Sequence, residues 1–187
     1  MGEHDEVEKF PEIVEGLISK LFLQNEDQDQ DEIKIDDKIS LTLTFIFPEI
    51  YLKSLDILDQ KRIVIHKYNK SIDNANQLFN DSLVLINQDL EDTPYYIELN
   101  QWFCSCTRFQ NGFKQIQCTS DTINTNIAYG IRFSNNLPQF KDPSNIPICE
   151  HLLSCYILNT HQHRLKDRYK LETVDQETWL TLHSKLL

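Results

Sequence analysis

The sequence of 187 residues predicts an α+β fold, because helical and strand patterns occupy separate parts of the chain. From Val7 to Leu23, apolar residues recur at three- and four-residue steps, which is the period of an amphipathic helix. In the middle, short runs rich in β-branched and aromatic residues alternate with turns rich in Asn and Asp, as in antiparallel sheets. The helical pattern returns from Glu150 to Thr160. We therefore expect N-terminal helices, an antiparallel β-meander and a C-terminal helix, with regions 1–94 and 95–187 packed as one globular unit.

The composition is that of a folded protein rather than a disordered one. Hydrophobic residues make up 40% of the chain, and ten Phe, seven Tyr and two Trp supply large side chains for a core. No apolar stretch approaches the roughly 18 residues that cross a membrane, and residues 1–5 lack the features of a signal peptide. We expect a protein that is not exported. In a reducing compartment, its five cysteines indicate metal binding or burial rather than disulfides.

The N-terminal region contains two helical patterns. The first, from Val7 to Leu23, has Pro11 in its first turns, where a missing amide donor is tolerated. The second runs from Ile39 to Leu58 and is broken near Pro48. Four of its side chains should pack on the first helix: Phe45, Phe47, Tyr51 and Leu55. Residues 25–37 contain seven acidic residues and one Lys, a pattern typical of a solvated linker, with a docking strip for a basic partner as the alternative.

The later elements follow from shorter patterns. Strands are expected at residues 63–65, 83–86, 95–103, 129–134 and 169–174, with a loop through Pro138, Pro143 and Pro147. Asp175 is a suitable N-cap for a closing helix. The apolar residues of that helix are Trp179, Leu180, Leu182 and Leu186.

Two pairs of potential metal ligands stand out. Cys104-x-Cys106 follows the strand expected to end at Phe103, and alternate residues of an extended segment project to the same side. Cys149-x-His151 precedes a helix, and residues two apart within a helix diverge by about 200°. Cys149 must therefore lie just before the helix, with His151 in its first turn. There the helix N-terminus favours the charge of a thiolate.

Three thiolates and one imidazole are the ligand set of a closed, tetrahedral, structural zinc site, which has no water to activate. The 42 residues between Cys106 and Cys149 exceed the spacing of compact zinc fingers. On spacing alone, buried cysteines and an ordinary surface histidine are therefore the alternative. Cys155 lies one helical turn after His151 and shares its face, which makes it an alternative ligand or a buried small apolar residue.

The remaining cysteine and histidines favour simpler interpretations. Cys118 is expected to be an ordinary thiol, and His66 a core or surface residue. His161, His163 and His183 are candidates for a second metal site, but the polar segment in which they lie does not favour one.

The order of the cysteine and histidine motifs resembles the SWIM-type zinc finger, a ββα unit with a long variable spacer between its two ligand pairs. Three segments resemble the SWIM-domain subunit of the yeast Shu complex: Trp102-Phe103-Cys104-Ser105-Cys106, Cys149-Glu150-His151-Leu152-Leu153 and Trp179-Leu180-x-Leu182-His183. The order of flanking elements, including Phe47-Pro48, is also similar. One departure is Ser154, where that subfamily usually carries Ala, although a small residue still suits a close helix contact.

This resemblance implies a zinc ion held by Cys104, Cys106, Cys149 and His151 in a non-enzymatic subunit that acts in the nucleus. Shu-type SWIM proteins are partners of recombinase paralogues. Such complexes help a RecA-family recombinase assemble on single-stranded DNA during homologous recombination and the error-free bypass of replication damage. The resemblance implies contact with DNA through partners, no membrane association and no small-molecule substrate.

Direct binding of single-stranded or forked DNA is the main alternative function. The net charge of -11 opposes it, since an acidic chain repels phosphates. Residues 101–170 nevertheless carry 8 basic and 4 acidic residues, whereas residues 1–100 carry 9 and 22. Four cations alternate after the predicted zinc helix, either as a solvated face or as an edge for a DNA strand: Arg164, Lys166, Arg168 and Lys170.

An enzyme is the third alternative, either a thiol nucleophile paired with His151 or an open zinc hydrolase. A Cys/His pair cannot act while both residues bind zinc. The sequence also has only four glycines, and it lacks a Gly-rich phosphate loop and a His-Glu-x-x-His pattern. These features favour a binding subunit.

Overall fold

The computed structural model describes residues 9–23, 33–68, 78–79, 82–88, 93–112, 133–134, 137–138 and 147–184. Its fold is α+β, as the sequence predicted, with helices at both ends and a five-stranded mixed sheet. The helices are α1 (Lys9–Ser19), α2 (Asp37–Ile46), α3 (Ile50–Asp59), α4 (Glu150–Thr160) and α5 (Gln176–Ser184). The strands are β1 (Ile63–Tyr68), β2 (Ser82–Ile86), β3 (Tyr95–Glu98), β4 (Phe103–Cys104), β5 (Phe133–Ser134), β6 (Leu137–Pro138) and β7 (Tyr169–Val174).

The helical pattern broken near Pro48 forms two helices, α2 and α3, as expected. Asp36 caps α2, because its side chain accepts hydrogen bonds from the backbone amides of residues 38 and 39. Of the four side chains expected to pack on the first helix, Phe47 and Tyr51 are buried in the common core and Leu55 is partly buried against it. Phe45 is 76% exposed, so the prediction is wrong for this residue. Periodicity identified the helix, but the neighbouring elements cover a narrower stripe of it than the apolar pattern suggests.

The sheet has the strand order β4-β3-β2-β1-β7. Strands β1 to β4 are antiparallel neighbours, so the expected meander is confirmed. Strand β7 appears where it was expected, but it pairs with β1 in parallel. The strand pattern in a sequence does not show whether the strand pairs in parallel or antiparallel fashion. That depends on the direction in which the chain enters the sheet after α4.

The run predicted as one strand from Tyr95 to Phe103 is instead a hairpin. It is interrupted by a 3-10 turn at Leu99–Gln101 and by Trp102, whose φ of 50° lies in the left-handed region. This reversal returns the chain onto β3, so that Cys104 lies opposite Ile97. Because Trp102 is a bulky residue in a strained conformation, hydrophobic periodicity could not indicate the turn.

One face of the sheet and the helices enclose the main core. Ile65, Val84 and Ile97 lie on this face and belong to the same buried cluster as α4. Every residue of α4 from His151 to Leu158 is buried, since the helix packs against both α3 and the sheet. The cluster therefore includes residues from both the 1–94 and the 95–187 regions.

The closing helix α5 begins as expected, because the Asp175 side chain accepts a hydrogen bond from the Thr178 amide at 2.8 Å. Leu186, Cys118 and most of the strand expected at residues 129–134 lie outside the described residues, as does much of the acidic stretch at residues 25–37. None of the helices in the described part of the chain has the length and apolar character needed to cross a bilayer.

Replacing Ile157 tests whether α4 is central to the core. Ile157 is fully buried, so Ile157→Ala should lower the free energy of unfolding by about 2–5 kcal/mol through lost contacts and a cavity. Leu41→Ala is the matched control, because Leu41 is 58% exposed on another helix. Urea denaturation should show a change within about 0.5 kcal/mol for the control. Equal losses in the two variants would contradict this core.

Candidate metal centre

Four side chains from two distant segments meet at one point of the core. Cys104 is the last residue of β4 and Cys106 follows it, whereas Cys149 and His151 lie at the start of α4. Their ligand atoms all lie within 4.8 Å of one another, and all four residues are buried. The Cys104 Sγ and His151 Nδ1 atoms are 3.8 Å apart. The structure thus brings together all four residues that the sequence predicted as ligands.

The separation between one sulfur and the histidine nitrogen is close to that in a tetrahedral metal site. With Zn–S near 2.3 Å and Zn–N near 2.0–2.1 Å, the edges of a tetrahedral site measure about 3.6–3.8 Å. The 3.8 Å separation between Cys104 Sγ and His151 Nδ1 is close to this value. Four buried Cys and His side chains in this arrangement can bind a metal ion, and their chemistry is that of structural zinc sites.

The first ligand pair is positioned by the β3–β4 hairpin. Its pairing continues to Ser105, whose amide donates to the Tyr96 carbonyl at 3.0 Å and whose hydroxyl accepts from the Tyr96 amide at 2.9 Å. These two hydrogen bonds fix Ser105, the residue between the two cysteines, against Tyr96. Cys106 then starts a helical segment over residues 107–112. The expected extended Cys-x-Cys is therefore a strand end joined directly to a helix start.

The second pair lies at the start of α4, as predicted. Cys149 is the N-cap, with an extended backbone (φ -132°), and its Sγ accepts a hydrogen bond from the Leu152 amide at 3.5 Å. His151 occupies the first turn. Its imidazole stacks at a tilt on Tyr95, with the ring centres 4.3 Å apart. The aromatic ring limits the orientations available to the ligand.

Backbone amides donate to each of the three sulfurs. The Cys106 amide donates to Cys104 Sγ and the Phe109 amide to Cys106 Sγ, both at 3.4 Å. With the Leu152 donor to Cys149, two of these bonds come from helix N-termini, which carry partial positive charge. This arrangement stabilises thiolates and so favours metal binding.

The three thiols also perturb one another. Hydrogen bonding to Cys106 and burial raise the pKa of Cys104, and burial raises that of Cys149. Hydrogen bonds from these two thiols lower the pKa of Cys106. Three neighbouring thiolates would repel one another in a buried pocket. A divalent cation offsets that repulsion, so metal binding releases protons.

Several supporting residues escaped the sequence analysis. The buried Trp102 indole Nε1 donates to the Pro147 carbonyl at 3.0 Å, and this bond joins the hairpin to the segment that leads to Cys149. Arg108 Nε lies 3.5 Å from the Glu150 carboxylate, which also joins the two ligand segments. The one signal in the sequence was position, since Trp102 lies two residues before Cys104 and Glu150 lies between Cys149 and His151.

Cys155 is fully buried in α4, but it does not belong to the four-residue cluster. The Ser154 hydroxyl donates to the His151 carbonyl at 2.8 Å, so this buried polar residue is satisfied. Ser154 is therefore accommodated within the core.

The other histidines have separate surroundings. His161 Nε2 donates to the Ile18 carbonyl at 2.7 Å, and His183 Nδ1 donates to the Trp179 carbonyl at 3.0 Å. His66 is buried in β1, with Nδ1 3.4 Å from the Glu172 carboxylate. Within the described ranges, the four-residue cluster is the one Cys/His group compact enough to hold a metal ion.

Two of the four cations after α4 make structural contacts. Arg164 donates to the carbonyls of Phe22 and Leu23 at 3.1 and 2.8 Å, and so holds the chain that follows α1. Arg168 pairs with Asp59 at 2.7 Å. These contacts draw both guanidinium groups toward the protein rather than toward a ligand.

Comparison with known proteins shows a distant similarity. No family model matches the chain. Over 110 residues, the chain is 24% identical to Suppressor of hydroxyurea sensitivity protein 2 of Zygosaccharomyces rouxii. The two proteins are distant homologues. The match covers 49% of this chain and 48% of the relative, so it spans about half the length of each protein.

Removing one ligand tests the metal centre. Elemental analysis of the purified wild type should find one zinc ion per chain, and Cys104→Ser should lose it together with solubility and thermal stability. Structural zinc sites contribute on the order of 10 kcal/mol or more of apparent binding free energy. Cys155→Ser is the matched control and should retain the metal. Absence of zinc from the wild type would refute the site, and loss in Cys155→Ser alone would identify Cys155 as the fourth ligand.

The Trp102 hydrogen bond can be tested through the rate of zinc release. Trp102→Phe removes the bond to the Pro147 carbonyl and leaves that acceptor buried, at a cost of about 1–3 kcal/mol. We expect faster transfer of zinc to a chelator, because the two ligand segments separate more easily. Trp179→Phe is the control, since Trp179 lies in α5 and outside the cluster. Equal release rates would show that Trp102 does not support the site.

Proposed function

We propose that this chain is a non-enzymatic, zinc-binding subunit of a Shu-type complex. With recombinase paralogues, it promotes assembly of a recombinase filament in homologous recombination and in error-free bypass of replication damage. The buried cluster of three cysteines and one histidine carries this proposal, together with the match to a protein named for suppression of hydroxyurea sensitivity. The motif order that resembles the SWIM-type zinc finger supports it as well.

The closed character of the site supports a structural role for the metal. All four donors are protein side chains and all are buried, so a tetrahedral ion would have its coordination filled. A metal that activates water needs an open position. The ligands Cys149 and His151 are also unavailable as nucleophile and base while they hold a cation.

Zinc would join elements that are far apart in the sequence. Cys104 and Cys106 belong to the end of the β-hairpin, whereas Cys149 and His151 begin α4, 43 or more positions later. Loss of one ligand would therefore release a hairpin from a core helix rather than remove one contact. We propose that the resulting rigid surface is where the recombinase paralogues pack.

The proposed route to DNA is through the partners, in the nucleus. The net charge of -11 opposes unaided binding to phosphates. Arg164 and Arg168 already contact the protein, and the other two cations of the alternating series, Lys166 and Lys170, are exposed. Direct binding of single-stranded or forked DNA is the competing function, and the experiment below distinguishes the two.

Variants of a tagged chain expressed in its source organism test this function. Cys106→Ser should fail to co-purify with the recombinase paralogues and should reproduce the DNA-damage sensitivity of a deletion, because the partner surface loses its zinc. Cys155→Ser should behave as the wild type, since Cys155 lies outside the cluster. If Cys106→Ser remains folded and partner-bound while the complex loses DNA binding, the zinc module contacts DNA directly. Wild type that does not retain the paralogues would refute the proposed complex.

A further inference from the structure

Strand β7 lies at one edge of the sheet. Its Cα register pairs it with β1 from Tyr169 to Val174, and it has no second strand neighbour in the described part of the chain. The four central residues, 170–173, are all exposed. An unpaired edge offers a row of backbone donors and acceptors to another strand.

The residues of β7 are arranged differently on its two faces. Leu171 lies opposite Ile65 and so belongs to the face that carries the main core, yet it is 54% exposed. Lys170 and Glu172 project to the other face, since neighbouring residues alternate. The edge thus combines an uncovered apolar residue of the core face with one cation and one anion.

These residues are complementary to a second copy of the same strand. In a two-fold symmetric, antiparallel pair of β7 strands, residues that lie opposite each other have their side chains on the same face of the sheet. The symmetry axis must therefore pass at a residue, which then lies opposite its own counterpart, and not between two residues. Centring on Leu171 places Lys170 of each copy opposite Glu172 of the other, and Leu171 opposite its counterpart. Centring on Lys170 or Glu172 instead places like charges opposite each other, which is unfavourable.

We propose that two copies of the chain associate through β7, in antiparallel register centred on Leu171, so that their sheets form one continuous sheet. The two Lys170–Glu172 pairs set the register, and the two Leu171 side chains cover each other. This inference is independent of the proposed function, because it concerns the sheet edge and not the metal centre.

Sedimentation equilibrium of the zinc-loaded full chain tests the pairing. The wild type should dimerise as its concentration rises. Lys170→Glu places Glu opposite Glu172 in both pairs, and it should weaken dimerisation at least tenfold. Lys166→Glu makes the same change of charge at an exposed turn residue before β7, and it should leave the dimer unchanged. Circular dichroism and zinc content establish that each variant is folded.

A mixing experiment isolates the register. Glu172→Lys alone should also weaken the dimer, although Glu172 additionally contacts His66. A mixture of Lys170→Glu with Glu172→Lys should form a heterodimer, because every cross-strand pair then joins opposite charges. A wild type that stays monomeric at all concentrations would overturn the proposal. So would equal weakening by Lys166→Glu, or a mixture that does not associate.

Discussion

The convergence of the β3–β4 hairpin and the start of α4 is the constraint on which the rest of the structure depends. The potential metal ligands lie at the end of the hairpin and at the beginning of α4, and their ligand atoms are within 4.8 Å of one another in the core. Helix α4 is buried from His151 to Leu158, so the position of its first turn is tied to the packing of the whole helix. A change at the ligands is therefore a change in the core.

The electrostatics of the cluster link metal binding to folding. Burial and neighbouring thiols raise the pKa of Cys104 and Cys149, so the pocket opposes three simultaneous charges. Hydrogen bonds from backbone amides to the three sulfurs stabilise the thiolate charges only in part. A bound dication would supply the remaining stabilisation of the thiolates, so metal binding would be coupled to the stability of the core.

Helix α4 also holds the N-terminal region through the residues that follow it. His161 donates to the carbonyl of Ile18 and packs edge-on against Phe22. Arg164 bonds two carbonyls just after α1. These contacts connect the metal centre to α1 through one helix. Arg164 thus has a structural role that the alternating pattern of cations in the sequence did not predict.

The sequence by itself determined the α+β class, the bounds of α4 and β7, the cap at Asp175 and the two Cys/His pairs, because each depends on local periodicity or short-range spacing. That the two pairs, which are separated by 42 residues, form one site was implied by the resemblance and decided by the fold. Tertiary structure decided what depends on distant neighbours. It placed Trp102 in a left-handed turn that makes a hairpin of residues 95–104, and it left Phe45 exposed although its helix was predicted correctly. It also excluded Cys155 from the cluster and paired β7 in parallel with β1. Helical spacing shows which residues share a face, but only packing determines what that face contacts.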